Sequence, residues 1–230
     1  MNQTPKQPSG HWDEVAGMMR DEERVQFGPY TTYWMRHSPR RALHYLAYYK
    51  FAAKLIGADK QVLDIGCAEG LGTWLLACEC GGLVEGLDLD PELVGFARKN
   101  WSDPRIRFEC ADILTTQLTS QWQALVSFDV IEHILPDHVE NWWAQLHSAL
   151  SHDGIAIIGT PSEISQQHAS EISRIGHVNI YSAERLEAEM REHFHHVFMF
   201  AAHDEVVHTG YLPLAHYLIA VGVRPRQRLS

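Results

Sequence analysis

Positive charge is scarce in this chain: 19 lysines and arginines stand against 29 aspartates and glutamates over 230 residues, a formal net charge of −10. That balance disfavours a broad surface for nucleic acid or anionic membrane. Cysteine is scarce too. Cys67, Cys78, Cys80 and Cys110 show no metal-ligand spacing, fall in expected core segments and read as reduced cytosolic thiols. No apolar run reaches the roughly 18 residues that a membrane span needs, and the N-terminus does not read as a signal peptide. The expectation is a cytoplasmic protein without membrane insertion. Internal repeats and breaks in composition are also missing, which leaves one α/β domain with a small cap as the natural organisation.

One stretch stands out against these absences: Gln61-Val-Leu-Asp-Ile-Gly-Cys-Ala-Glu-Gly-Leu-Gly-Thr73. It reads as a buried strand, Val62 to Ile65, then a small-residue turn, then a helix with Leu71, Trp74, Leu75 and Cys78 on one face. Such a strand–turn–helix brings a nucleotide-like ligand against backbone at the carboxyl edge of a parallel sheet. Spacing sorts the ligands. A phosphate-binding P-loop needs Gly, four residues and then Gly-Lys-Ser/Thr, and this turn has no lysine. A dinucleotide fold needs Gly-x-Gly-x-x-Gly; counted from Gly66, the second slot is Ala68 and the third Leu71. What fits is Asp-x-Gly-x-(Gly/Ala)-x-Gly, with Asp64, Gly66, Ala68 and Gly70. An acid at its head suits a ligand with a cationic amino end and would repel a pyrophosphate.

The pattern continues along the chain. Residues 83–88, 105–110, 123–128 and 155–160 read as further strands, with a helix opening at Asp90-Pro91-Glu92 and turning Leu93, Val94 and Ala97 inward. Asp137-His-Val-Glu140 has the form of a capping box before a helix carrying Trp142, Trp143, Leu146 and Leu150. Residues 161–181 read as a polar loop of the length that commonly makes a lid. Ser182 caps a helix with Leu186, Met190 and Phe194 on one face, and strands at 196–201 and 216–223 flank an insert at 203–215. Upstream, residues 11–37 are rich in aromatics (Trp12, Phe27, Tyr30, Tyr33, Trp34) and suggest a cap. Ser38 and Pro39 read as N-cap and first position of a helix to Gly57. Its basic start (Arg36, Arg40, Arg41) runs against the preference of a helix N-terminus and points to an anion there. The expected divisions are a tail and aromatic cap at 1–37, the main domain at 38–224 and a C-terminal tail at 225–230.

Asp64, Gly66, Ala68 and Gly70, in that spacing, resemble motif I of the class I S-adenosylmethionine (SAM) dependent methyltransferases. Asp88 follows Gly66 by the interval at which an acid ends the second strand of doubly wound folds and accepts from both ribose hydroxyls. Asp90 reads instead as the N-cap before Pro91. The resemblance implies that Asp112 and Ile113 meet adenine, that Phe128 and Asp129 lie beside the methionine half, and that Cys67 and Leu89 belong to the same cofactor-binding set. Gly159-Thr-Pro-Ser162 and His177-Val-Asn-Ile-Tyr-Ser182 are similar to the "STPN" and "HxxxYS/T" segments of the family. Ser38-Pro-Arg-Arg-Ala-Leu-His-Tyr45 is similar to the Asn-Pro-Leu-Arg-x-x-Tyr segment of the ubiquinone-biosynthesis O-methyltransferases, whose arginine contacts the SAM carboxylate. Arg41 is the matching position, and a guanidinium–carboxylate pair would account for the misplaced positive charge. The implied fold is α/β: a class I methyltransferase Rossmann-like fold, with a seven-stranded, mostly parallel sheet flanked by helices and an N-terminal helical cap.

The chemical end follows the fourth strand. Asp129-Val-Ile-Glu132-His133 resembles the "EH" signature of the ubiquinone-type enzymes. It also resembles the E-x-x-E-H of metal-dependent small-RNA 2′-O-methyltransferases, in which a later histidine completes the site. By that likeness Asp129, Glu132, His133 and His177 are candidate ligands of a divalent metal, a mixed oxygen/nitrogen set suited to Mg, Mn, Fe or Zn. Without metal, His133 would be a base or substrate contact, or simply pack, and Glu132 would support the loop. Tyr30, Tyr33, Trp34, His168 and Tyr181 are candidates for the acceptor site. The leading expectation is O-methylation of a small hydroxylated metabolite (sugar, phenol or quinone precursor), with S-adenosyl-L-homocysteine (SAH) as product. The alternatives are N- or C-methylation without metal and a non-catalytic SAM-binding module.

Overall fold

Val62–Ile65 form β1, and all four residues are buried. A strand covered on both faces belongs inside a parallel sheet, and β1 lies parallel between β2 (Val84–Asp88) and β4 (Trp122–Phe128). The computed structural model describes residues 10–118 and 122–226. The remaining strands are β3 (Ile106–Cys110), β5 (Leu150–Pro161), β6 (Phe194–His203), β7 (Val206–His208) and β8 (Tyr217–Pro225). They form one sheet in the order β3-β2-β1-β4-β5-β8-β6-β7, parallel from β3 to β5, with β8 antiparallel to both of its neighbours. The helices are α1 (Gly10–Asp21), α2 (Pro29–His37), α3 (Arg40–Ile56), α4 (Leu71–Cys80), α5 (Pro91–Asn100), α6 (Val139–Ala149), α7 (Glu171–Gly176) and α8 (Ala183–His193).

Strand periodicity decides which face each side chain serves. Leu63 and Ile65 pack with Trp142, Trp143 and Leu146 of α6 and Leu186 and Met190 of α8. Val62 packs on the other face with Tyr49 and Ala52 of α3, Leu76 of α4 and Val94 of α5. Strand order reverses direction between β1 and β4, and the loops leaving β1, β2, β3 and β4 emerge on one edge of the sheet. A ligand crevice is expected at such a switch point.

Several sequence expectations are corrected. The sheet has eight strands rather than seven, because Val206–His208 in the 203–215 insert folds back on the end of β6. Ser38 does not cap α3: Pro39 holds the N-cap position, and it is the Ser38 carbonyl that accepts from Arg41 N–H. In α4 the buried face is Gly72, Thr73, Leu76, Ala77 and Cys80, a rotation that leaves Trp74 and Cys78 exposed. The cause is close packing on α3, since a Cβ at Gly72 would overlap the Tyr49 ring. Cys110 is exposed as well, so only Cys67 and Cys80 are core cysteines. Asp137 makes no cap; it lies in a 3-10 turn, Pro136–His138, ahead of α6. The 161–181 segment is not a bare loop but holds a 3-10 turn, Glu163–His168, and α7. Residues 1–9 and 227–230 of the expected tails lie outside the described residues, while β8 runs through Pro225 and Arg226 N–H donates to His193 O. Among the described residues no helix is long and apolar enough to cross a membrane.

Candidate active site

A cleft of about 440 Å³ opens at the switch point, lined by the loops that follow β1 to β4 and by Tyr30 and Tyr45 of the N-terminal helices. Its size lies in the range of small-molecule sites. The loop after β1 passes through left-handed backbone at Gly66 (φ 78°), Ala68 (φ 47°) and Gly70 (φ 79°). At Gly66 a Cβ would run into the Val130 side chain, so glycine is required where the loop crosses the β4 exit. Asp88 braces this loop: Oδ2 accepts from Ala68 N–H at 2.8 Å and Oδ1 from Asp90 N–H at 2.9 Å. A carboxylate offers about four acceptor sites, so two remain for a ligand's hydroxyls. Asp90 is the N-cap of α5, accepting from Glu92 and Leu93 N–H. Leu89 lies exposed at the rim, Ile113 is buried in the wall, and Asp112 Oδ1 accepts from Leu114 N–H at 2.8 Å.

Four residues of the expected cofactor set do not line this cleft, Arg41 among them. Asp64 shares the α3/α4 face of β1, and both its oxygens are taken there, by Tyr49 Oη–H at 2.9 Å and Thr73 Oγ1–H at 2.6 Å. Cys67 is buried, and burial pushes its thiol far up. Gly70 is buried too; a Cβ there would meet Phe108 at 2.6 Å and Trp101 at 2.8 Å rather than a ligand. Burial likewise pushes the Asp64 carboxyl up to about 7, despite the two hydroxyls that favour its charged form. Since the unfolded value is about 3.9, the folded protein holds this proton more tightly, and stability falls as pH rises from about 4 to about 7. Asp64→Asn keeps an acceptor for Tyr49 and gains a donor for Thr73, so it should remove that part of the decline. Urea denaturation at stepped pH measures it; an unchanged slope in the variant would place the titration elsewhere.

At the end of β4, Phe128 is buried and Asp129 adopts left-handed backbone (φ 57°) with its N–H on Gly159 O at 3.0 Å. A non-glycine residue held there is a form of strain that clusters at functional sites. Asp129 Oδ2 pairs with Arg41 Nη2 at 3.2 Å. The same nitrogen donates to Tyr30 Oη at 3.2 Å, and the guanidinium lies 4.1 Å from the centre of the Trp34 ring. The basic start of α3 thus has an internal partner, Asp129.

Glu132, His133 and His177 converge. One ligand atom of each lies within 4.8 Å of the others, and Asp129 is not part of the group. Glu132 is buried; its Oε2 accepts from Thr160 Oγ1–H at 2.9 Å, whereas Oε1 has no hydrogen-bond partner among the described residues. Burial, then the Asp129 carboxylate, push Glu132 well above the usual carboxylate range. His133 Nδ1 lies 2.8 Å from Gly176 O. A carbonyl only accepts, so Nδ1 carries the proton and Nε2 keeps its lone pair. His177 Nδ1 lies 3.2 Å from Gln166 Oε1, which leaves its Nε2 available in the same way. Burial and the neighbouring His133 lower the His177 pKa, favouring a neutral ring. Two imidazoles, each held through Nδ1, and a buried carboxylate with one unpartnered oxygen are a donor set that fits a divalent metal.

Of the acceptor candidates, Tyr30 lines the cleft and Trp34 packs on Arg41 beside it. His168 is exposed on the 3-10 turn, and Tyr33 packs against Trp34 and His37. Tyr181 is fully buried and donates to Glu189 Oε2 at 2.9 Å, so it does not face an acceptor. Sequence reading missed Thr160 and Gly176, which fix Glu132 and His133; both are long-range partners with no local signature.

The methyltransferase domain family matches residues 62–154. Over 112 residues, 46% of this chain and 46% of the relative, the sequence is 30% identical to a ubiquinone biosynthesis O-methyltransferase of Xanthomonas oryzae pv. oryzae. Over 134 residues, 58% of this chain and 47% of the relative, it is 28% identical to a probable S-adenosylmethionine-dependent methyltransferase of Mycolicibacterium smegmatis. The chain spans about half the length of these curated relatives. The N-methyltransferase NodS of Bradyrhizobium japonicum, solved with SAH, superposes with a TM-score of 0.62 at 20% identity, covering 84% of this chain and 91% of that one. The fold is that of the class I methyltransferases. Within it, residues 62–154 are similar to the methyltransferase domain family, and the chain is similar to S-adenosylmethionine-dependent methyltransferases over about half its length.

Proposed function

We propose that this protein transfers a methyl group from SAM to a hydroxyl of a small metabolite, with a divalent ion held by Glu132, His133 and His177. One observation carries the reading: a ligand atom of each of Glu132, His133 and His177 meets the others within 4.8 Å next to the cleft, and Glu132 keeps one buried carboxylate oxygen with no hydrogen-bond partner among the described residues. The likeness of residues around motif I to a named O-methyltransferase supports it. Bound SAM brings a methyl on a sulfonium, which is its own leaving group. Glu132, His133 and His177 would hold a divalent ion, whose chemistry would be to lower the pKa of the acceptor hydroxyl and orient it.

The chain's own residues then have these parts. Asp88 takes the ribose hydroxyls with the two acceptor sites its backbone contacts leave over. Asp112 and Ile113 form the adenine wall, and Gly66 and Ala68 let the ligand approach backbone. Arg41, which pairs with Asp129 and stacks on Trp34, would be the residue to hold the methionine carboxylate. The acceptor enters between α2 and the 163–178 segment, near Tyr30, Trp34 and His168; the chain's net charge of −10 argues for a metabolite over a nucleic acid. Aligning the two reactants carries much of the rate. A second, metal-free reading has its own support in the bond that His133 Nδ1–H donates to Gly176 O: His133 Nε2, left with its lone pair, would take the hydroxyl proton directly.

Calorimetric titration of SAM and SAH into chelator-stripped protein, repeated with Mg²⁺, Mn²⁺ and Zn²⁺, tests both readings, followed by methyl transfer to a panel of catechols, phenols and sugars. Absence of SAM binding under every condition would sink the proposal. Arg41→Ala should weaken SAH binding about 10- to 100-fold, through loss of one charge-assisted pair. An SAH affinity equal to that of wild type would remove Arg41 from the cofactor site.

A further inference from the structure

The acid inside the loop after β1, Glu69, is not among the residues that line the cleft, and its position explains how the N-terminal cap is held. Its neighbours Ala68 and Gly70 are both in left-handed backbone, and its own carbonyl accepts from Trp101 Nε1–H at 2.8 Å. Trp101 in turn stacks on Trp74 at 5.0 Å. The carboxylate is buried, with Oε2 accepting from Gly28 N–H and Oε1 from Thr31 N–H, each at 3.0 Å. Gly28 and Thr31 are the N-cap and third positions of α2. A capping box divides these two bonds between two side chains of one helix. Here a single carboxylate, 41 residues away in sequence, makes both, with negative charge at the helix N-terminus where the dipole favours it. The local sequence offers no substitute: Gly28 has no side chain and Pro29 no N–H. A Cβ on Gly28 would lie 2.7 Å from Glu69 Oε1.

α2 needs this fastening because none of its residues is buried. Its other ties include the contacts of Tyr30 and Trp34 with Arg41, and the preceding Gln26, which exchanges two bonds with Asn100 at the end of α5 and accepts a third from Lys99 Nζ. An element with so few buried contacts opens locally at low cost. Yet Tyr30, which α2 carries, lines the cleft, Arg41 beside it pairs with the cleft residue Asp129, and the loop that carries Glu69 is the one Asp88 braces through Ala68 N–H.

We propose that Glu69 is a positioning residue that clamps the α2 cap to the cofactor loop, so that ligand binding in the cleft and docking of the cap stabilise one another. The linkage half of this inference rests on the cleft being the SAM site; the clamp itself does not. By reciprocity, whatever factor SAH binding adds to cap docking, cap docking adds to SAH affinity.

Amide hydrogen exchange separates the two halves. In ligand-free protein, Glu69→Ala should speed exchange over residues 28–34 at least tenfold, while β1 and β4 amides keep wild-type rates. Glu69→Gln, able to accept one N–H but not both, should fall between. SAH should slow exchange of α2 in wild type and lose most of that effect in Glu69→Ala. Unchanged exchange over 28–34 in Glu69→Ala would overturn the clamp, and equal slowing by SAH in both proteins would overturn the linkage. If Glu69→Ala loses sheet protection as a whole, Gly28→Ala answers the same question from the helix side with the same two criteria. If wild type does not bind SAH, the cofactor reading fails and the ligand-free exchange still decides the clamp.

Discussion

Asp88→Ala should weaken SAH binding by about 10²–10⁴-fold, the largest loss expected from any single cofactor-side change. A hydrogen bond to a charged group contributes roughly 1.5–3 kcal/mol, and two ribose hydroxyls would meet this carboxylate. Together that is about 3–6 kcal/mol, which sets the range. The variant also strips an acceptor from Ala68 and Asp90 N–H, so the loop after β1 loses its brace and the upper end of the range is favoured. The neighbouring acid supplies the control. Asp90 caps α5 through Glu92 and Leu93 N–H, and Asp90→Ala should cost about 1 kcal/mol of stability with little change in SAH affinity. Calorimetry on both variants, beside their Tm values, distinguishes a ligand contact from a helix cap two residues away. Equal SAH affinity in Asp88→Ala and wild type would remove Asp88 from the site.

Some contacts set by chain-local geometry were legible in the sequence, though the caps expected at Ser38 and Asp137 do not form; those set by the packing of distant elements were not. β1 and its glycine turn were readable because burial on both faces demands an apolar run and the turn demands small residues. The Asp90 cap was readable because the residues it bonds follow it directly. The rotation of α4 was not, since it depends on Tyr49 reaching Gly72 from α3. Asp64 shows the same limit. The acid at the head of the motif was expected to meet the ligand, but period two turns it to the α3/α4 face, where Tyr49 and Thr73 hold it. Arg41 was correctly seen to lack a reason for its charge at a helix start, and the internal partner, Asp129, lies 88 residues away. The grouping of Glu132, His133 and His177 was suggested by resemblance alone. What orients it (Thr160, Gly176 and Gln166) comes from three separate segments that only the fold brings together.

Glu132→Gln should weaken Mn²⁺ binding to the chelator-stripped protein by at least about 100-fold while making the metal-free protein more stable. The two effects share one cause. Gln preserves shape and an acceptor for Thr160 Oγ1–H but removes a carboxylate that burial and Asp129 make costly to ionise. An acid whose folded-state pKa is raised contributes stability at low pH and loses it as pH rises through the folded-state value. The stabilisation by Gln should therefore appear towards alkaline pH and vanish in acid, as thermal melts at stepped pH would show. Metal binding runs the opposite way: the ion must displace the Glu132 proton, so wild-type affinity should rise with pH across the same window. His177 adds little to that slope, since its lowered pKa leaves it neutral earlier. Thr160→Val, which takes away only the hydroxyl behind Glu132, should cost about 10- to 100-fold in metal affinity, as outer partners of metal ligands do. A group that merely supports the loop would destabilise the protein on substitution and leave Mn²⁺ affinity untouched. If stripped wild type binds no divalent ion at any pH, or methylates its acceptor equally well with and without one, the three residues are not a metal centre. His133 Nε2 would then be the base.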